Sequence, residues 1–174
     1  ITPSDHVIFG EKKFQNIVKN SFDFVSKSSR LVTIGIKPTK PATGYGYIQY
    51  IENETNLFKQ VKTFTEKPNL EIAKTFVASG DFLWNAGIFV WNAQTFFESF
   101  EQNLPDMGEL FQTVFQDLNT EKESNAILNI YSRFSNISID YGLMEKAQNV
   151  SVVPADFEWS DLGTWSSIYE NMDK

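Results

Sequence analysis

The 174-residue sequence has no cysteine and only one histidine, His6. Disulfides, thiolate zinc sites and cysteine nucleophiles are therefore excluded. A single imidazole cannot build a two-histidine metal site, and His6 reads as a turn or core residue. Positive charge is also scarce: 15 Lys and Arg stand against 22 Asp and Glu, a net charge of −7. That balance argues against a nucleic-acid partner, which needs clustered basic side chains. No stretch approaches the roughly 18 consecutive apolar residues of a membrane span, and no basic start precedes an apolar block. The expectation is a soluble, cytoplasmic protein with no membrane partner.

Apolar and aromatic residues are plentiful. With 41% hydrophobic residues, 16 Phe and 4 Trp, the chain has material for a sizeable core and is read as one domain over 1–174. It begins at Ile1 without Met and runs directly into Pro3-Ser4-Asp5-His6, so it is read as a piece of a longer chain with a strand cut at its start.

Periodicity predicts a helix over Phe14 to Val25, where Phe14, Ile17, Val18, Phe22 and Val25 form a stripe. Leu31 to Ile36 is a β-rich run, and Pro38 to Gly46, with two Pro and two Gly, is a loop. Tyr47 to Ile51 and Val61 to Thr65 read as a hairpin around a polar turn, Glu52 to Asn56. A helix follows over Leu70 to Ser79, ended by Gly80, then a buried strand over Gly87 to Trp91. Further helices are expected over Ala93 to Phe100, over Pro105 to Leu118 with Leu110, Phe111, Val114, Phe115 and Leu118 inward, and over Glu123 to Phe134. Asp140 to Gln148 reads as a short helix, Val150 to Pro154 as a strand and Gly163 to Asn171 as the closing helix. Alternating strands and helices define an α/β protein with a mixed sheet, because the middle is hairpin-like.

Several polar residues stand at the ends of these elements. Asp5, after Pro3 at an expected strand end, suits a hard cation such as Mg²⁺; its ordinary reading is a turn or cap residue. The loop with Lys37, Lys40 and Gly44-Tyr45-Gly46-Tyr47 lets backbone approach a ligand, though such a loop is also common. In Glu66-Lys67-Pro68, consecutive strand side chains point to opposite faces, so acid and base share a site only where the strand is ending. There Glu66 could accept sugar hydroxyls and Lys67 meet a phosphate; the alternative is a solvated ion pair. Asn85 is polar within an apolar run and must find partners, either backbone or a ligand. Asp161 is either a helix N-cap or the second member of a metal site with Asp5. Asp140 and Lys146 are weaker candidates on a helix surface.

Pro3-Ser4-Asp5-His6, Gly44-Tyr45-Gly46-Tyr47-Ile48, Phe64-Thr65-Glu66-Lys67-Pro68, Trp84-Asn85-Ala86-Gly87-Ile88-Phe89, Asp140-Tyr141-Gly142-Leu143-Met144-Glu145-Lys146 and Trp159-Ser160-Asp161-Leu162-Gly163-Thr164-Trp165 occur in this order. In that set the chain resembles, essentially end to end, the mannose-1-phosphate guanylyltransferases (GDP-mannose pyrophosphorylases) of the nucleotide-sugar pyrophosphorylase superfamily. The resemblance implies a partial nucleotide-diphospho-sugar transferase fold, Rossmann-like, with a mostly parallel sheet flanked by helices. It implies Mg²⁺ on Asp5 and Asp161, sugar recognition by Gly46 and Asn85, and hydroxyl and phosphate binding by Glu66 and Lys67. Lys67 and Asp161 would serve catalysis, with Asp140 and Lys146 near substrate. The implied substrates are mannose 1-phosphate and GTP. The family's glycine-rich loop with its Arg and Lys has no counterpart here, so the chain alone is expected to be inactive and to expose a sheet edge or face that favours a homo-oligomer. A related nucleotidyltransferase for another hexose 1-phosphate, or a non-catalytic sugar-phosphate-binding module, are the competing readings.

Overall fold

A computed structural model describes residues 1–52 and 56–172. By internal contacts these form two compact units, one of 1–92 with 149–174 and one of 93–148.

The first unit holds every strand and is organised around β2, Leu31–Ile36, which is buried along its whole length. A strand buried on both faces needs a continuous apolar run, and Leu31, Val32, Ile34 and Ile36 supply it. On one side β2 pairs in parallel with β6, Val150–Ala155, in unbroken register from Leu31 opposite Val150 to Ile36 opposite Ala155. On the other it runs antiparallel to β5, Phe82–Val90, with a register shift between Thr33 and Gly35. β5 then pairs with β3, Tyr47–Tyr50, and β3 with β4, Lys59–Thr65. The seven residues of β4 serve two neighbours: its later part pairs with β3, while Lys59 and Gln60 pair with Val152 and Ser151 of β6. The result is a closed ring, β2-β5-β3-β4-β6. A separate two-stranded ribbon joins β1, Val7–Phe9, to β7, Glu158–Ser160.

Among the described residues three helices belong to this unit: α1, Glu11–Val25, α2, Leu70–Ser79, and α6, Trp165–Met172. α1 buries Ile17 and Val25 in the same core as Val32, Ile34, Trp84, Ile88 and Val153. Asn69 caps α2, its Oδ1 accepting the Ile72 N–H at 3.0 Å, and Gly80 ends it in the left-handed region. The second unit holds α3, Ala93–Asn103, α4, Pro105–Gln112, and α5, Glu123–Tyr131. It closes with a π-helical turn over Asp140–Met144 that buries Gly142, Leu143 and Met144.

The mixed α/β class is as expected, but the balance of pairings is not. Among the described residues only β2 with β6 is parallel; the other pairings are antiparallel. A parallel pair needs a long crossover, which separates β2 from β6, whereas β3 and β4, consecutive in the chain, pair antiparallel. Residues 53–55 of the expected Glu52 to Asn56 turn lie outside the described residues. The strand expected at Gly87 begins earlier, at Phe82, because an unbroken apolar run marks a strand without marking its start. The helix expected over Pro105 to Leu118 stops at Gln112, and of its supposed inward face only Val114 is buried, with Phe115 51% exposed. Asp140 to Gln148 forms the shorter π-helical turn, in which the Glu145 N–H reaches the Asp140 carbonyl at 2.9 Å. β1 and β7, of three residues each, are too short to leave a period. No helix among the described residues is long and apolar enough to cross a membrane.

At Gly35 the strands of the ring leave no room for a side chain. A Cβ there would stand 2.6 Å from Leu83 Cδ1 and 2.7 Å from Val152 Cγ2, one on each flanking strand. Gly35→Ala is therefore expected to destabilise the protein by about 1–3 kcal/mol, read as a lowered denaturant midpoint; an unchanged midpoint would mean that the strands separate freely.

Candidate functional site

The start of β3, the end of β4 and the interior of β5 meet at Gly46, immediately before β3. The Gly46 carbonyl accepts the Asn85 N–H at 2.8 Å, and the Tyr45 carbonyl accepts the Lys67 N–H at 3.2 Å. A side chain at 46 would collide with Glu66 Oε2 and come within 3.2 Å of Asn85 Cβ and 3.3 Å of Phe64 Cε1. Glycine is thus required by close approach: the carboxylate of Glu66 occupies the space a Cβ would take.

Glu66 and Lys67 lie just past the end of β4. Lys67 adopts a left-handed conformation, φ 46°, which breaks strand alternation and lets neighbouring side chains come to one side. Their charged ends are 3.4 Å apart, with the Glu66 side chain 9% exposed and that of Lys67 58% exposed. The acid is anchored within the protein and the ammonium stands at the surface, able to meet an anion. Pro68, buried, follows at once and precludes further strand.

Asn85 is buried on β5, and its Oδ1 accepts from Thr33 Oγ1 at 2.8 Å and from the Gly87 N–H at 3.2 Å. Both hold the amide plane fixed. Thr33 is itself wholly buried on β2, so the central strand orients Asn85.

The aspartates come from the β1–β7 ribbon. Its last pair is Val7 opposite Ser160, so Asp161 follows that end directly and Asp5 precedes it by two residues. Carboxylates 156 positions apart in sequence (161 − 5) therefore flank the same end of one ribbon. Asp161 Oδ1 accepts from the Tyr45 hydroxyl at 2.9 Å and from the Gly163 N–H at 3.1 Å. It is not the N-cap of α6: that place belongs to Thr164, whose Oγ1 accepts the Ser167 N–H at 3.1 Å. His6, one residue before β1, accepts from Trp159 Nε1 at 3.2 Å and packs edge-on against its ring.

Beside this ribbon lies an open cleft of about 660 Å³, bordered by Lys37, Lys40, Tyr45, Trp84 and Trp159. Trp84 is buried, and its indole N–H has no hydrogen-bond partner among the described residues. At the rim, Lys13 pairs with Asp156 at 2.8 Å, and its hydrogen bond holds that carboxyl below the ordinary aspartate range.

Residues 1–174 match the family model described as Nucleotidyl transferase. The chain belongs to the nucleotidyl transferase family. It is 37% identical over 175 residues to the mannose-1-phosphate guanylyltransferase of Sinorhizobium fredii, an alignment covering 98% of this chain and 33% of that protein. To the mannose-1-phosphate guanylyltransferase of Escherichia coli K12 it is 37% identical over 179 residues, covering 98% of this chain and 36% of the relative. The chain thus spans about a third of the length of these curated relatives. The crystal structure of a Thermus thermophilus protein named mannose-1-phosphate geranyltransferase superposes with a TM-score of 0.84 at 30% identity, over 97% of this chain and 48% of that one.

Within this nucleotidyl transferase chain the expected site residues divide between the units. Gly46, Glu66, Lys67 and Asn85 converge, and Asp161 is joined to them through Tyr45. Asp140, half-buried at the start of the π-helical turn, and Lys146, exposed after it, belong to the second unit. Sequence reasoning treated Tyr45 only as part of a loop motif and gave it no place in the site. Its position beside Gly46 was the available signal, but a tyrosine in a Gly-Tyr-Gly run does not disclose which remote carboxylate its hydroxyl reaches.

Asn85 keeps the Gly87 N–H on its oxygen if Thr33 is changed. Thr33→Val should therefore cost about 1 kcal/mol of stability in denaturant unfolding, and no loss would show that Thr33 does not hold Asn85.

Proposed function

We propose that the protein containing this chain transfers GMP from GTP to mannose 1-phosphate, giving GDP-mannose and pyrophosphate, with Mg²⁺ as cofactor. The observation that carries this reading is the convergence of Gly46, Glu66, Lys67 and Asn85 on one cradle that Tyr45 links to Asp161. The guanylyltransferase names of the relatives support the choice of mannose and guanine.

The donor set suits the cofactor. Among the described residues no group of three or more His, Cys, Asp or Glu side chains could hold a metal, but Mg²⁺ takes one or two carboxylates and completes its shell with water and substrate phosphates. Asp161 Oδ2 takes no hydrogen bond from the described residues, and Asp5 is exposed at the same ribbon end. When bound there, the cation would neutralise charge developing on the triphosphate.

The chain's own residues hold the acceptor. Glu66, fixed against Gly46, accepts hydrogen bonds from the sugar hydroxyls, and the absent Cβ at 46 leaves its carboxylate in place. Asn85 presents its oriented amide. Lys67 meets the phosphate of the sugar as a point charge. One oxygen of that phosphate attacks the α-phosphorus of GTP, while the bond from that phosphorus to the bridging oxygen breaks and its electron pair leaves with pyrophosphate. The attacking oxygen is already anionic and needs no general base, so catalysis is positioning and charge neutralisation.

Coupled release of pyrophosphate from GTP and mannose 1-phosphate tests the reading in the full-length protein. Lys67→Ala is expected to raise the KM for mannose 1-phosphate roughly tenfold to a hundredfold, and Asp161→Asn to lower kcat roughly a hundredfold or more. Preference for another hexose 1-phosphate would overturn the choice of mannose, and full activity in Asp161→Asn would favour a non-catalytic binding role. The 174-residue chain alone is expected to give no turnover, since it carries no glycine-rich loop with Arg and Lys to grip a triphosphate.

A further inference from the structure

Tyr45 is held at more points than a loop residue needs to be. Its ring packs edge-on against Trp84 and Trp159, with centroids 5.0 and 5.3 Å away. Two T-shaped contacts confine the phenol, so its hydroxyl is a fixed point. That hydroxyl donates to Asp161 Oδ1 at 2.9 Å across 116 positions of sequence, while its carbonyl accepts the Lys67 N–H at 3.2 Å. One residue therefore ties the carboxylate of the ribbon to the left-handed turn that carries the ammonium.

The hydrogen bonds at Asp161 are unequal in a way that matters. The Tyr45 hydroxyl and the Gly163 N–H both end on Oδ1, and Oδ2 receives none from the described residues. Two donors on one oxygen set the carboxylate's rotation and leave the other oxygen as the ligand. An unrestrained aspartate would lose rotamer freedom on binding a cation; here that loss occurs on folding.

We propose that Tyr45 is a positioning residue that aims Asp161 Oδ2 at a divalent cation and, through its backbone, holds Lys67 in register with it. This rests on the nucleotidyl-transfer reading and deepens it by assigning the support of the metal ligand. A tyrosine present only for packing would be replaced by phenylalanine without consequence, because neither ring contact needs the hydroxyl.

The test uses Mn²⁺ as a paramagnetic probe on the full-length protein, with free Mn²⁺ counted by electron paramagnetic resonance. Tyr45→Phe is expected to weaken Mn²⁺ binding roughly tenfold and to raise by a similar factor the Mg²⁺ concentration giving half-maximal rate. Saturating Mg²⁺ restores its rate, and the KM for the sugar phosphate stays within about twofold of wild type, since the backbone link to Lys67 is kept. In Asp161→Asn the further change Tyr45→Phe has no added effect, which a general loss of folding would not reproduce. Wild-type Mn²⁺ affinity and Mg²⁺ dependence in Tyr45→Phe would overturn the inference, as would additive losses in the double variant. Mn²⁺ binding untouched by Asp161→Asn would overturn the metal assignment itself, and Tyr45's role with it. Whether GTP and a hexose 1-phosphate react is read separately from pyrophosphate release.

Discussion

At Gly46 the start of β3, the end of β4 and the interior of β5 approach one another with no side chain at the glycine between them. The remainder of the candidate site depends on that closeness: β3 lies between β4 and β5, so residues that follow one strand, precede another and sit within a third become neighbours. Glu66 fills the place of the missing Cβ, and Asn85 is bonded through its backbone to Gly46 itself. Backbone hydrogen bonds set these positions more rigidly than side-chain contacts would, so the groups are oriented before any ligand arrives.

The aspartates are placed by a different device. The β1–β7 ribbon is separate from the ring in its pairing, and aromatic packing accompanies it: Trp159 on β7 meets both His6 and Tyr45, and Tyr45 meets Trp84 on β5. Large rigid rings bury much area at small entropic cost. They connect ring and ribbon without introducing flexible links, and the heavy aromatic content of the chain has one of its uses here.

Long elements were legible in the sequence because their patterns repeat. The span of β2 and that of α2 are as read, since a continuous apolar run and a capped amphipathic stretch each carry their own boundaries. The β1–β7 ribbon was not legible, because three-residue strands have no period and their pairing joins opposite ends of the chain. Phe115 was assigned inward by spacing, yet the helix ends before it and leaves it exposed. The predominance of antiparallel pairing was likewise hidden, because element order alone does not say which strands become neighbours. Among the candidate site residues, Gly46, Glu66, Lys67 and Asn85 could be singled out as local exceptions to pattern, whereas Tyr45 is ordinary in its surroundings and bonds a partner 116 positions away.

By itself the sequence determined the chemical inventory: no thiol, one imidazole, and an acid–lysine pair placed where a strand must end at proline. It also determined the local geometry that short-range sterics dictate, including the capped helix and the buried central strand. Only the tertiary structure decided which of these groups meet. Strand pairing is set by non-local burial and hydrogen bonding, and it is pairing that closes the ring, brings Asp5 and Asp161 to one ribbon end, and turns a loop tyrosine toward a distant carboxylate.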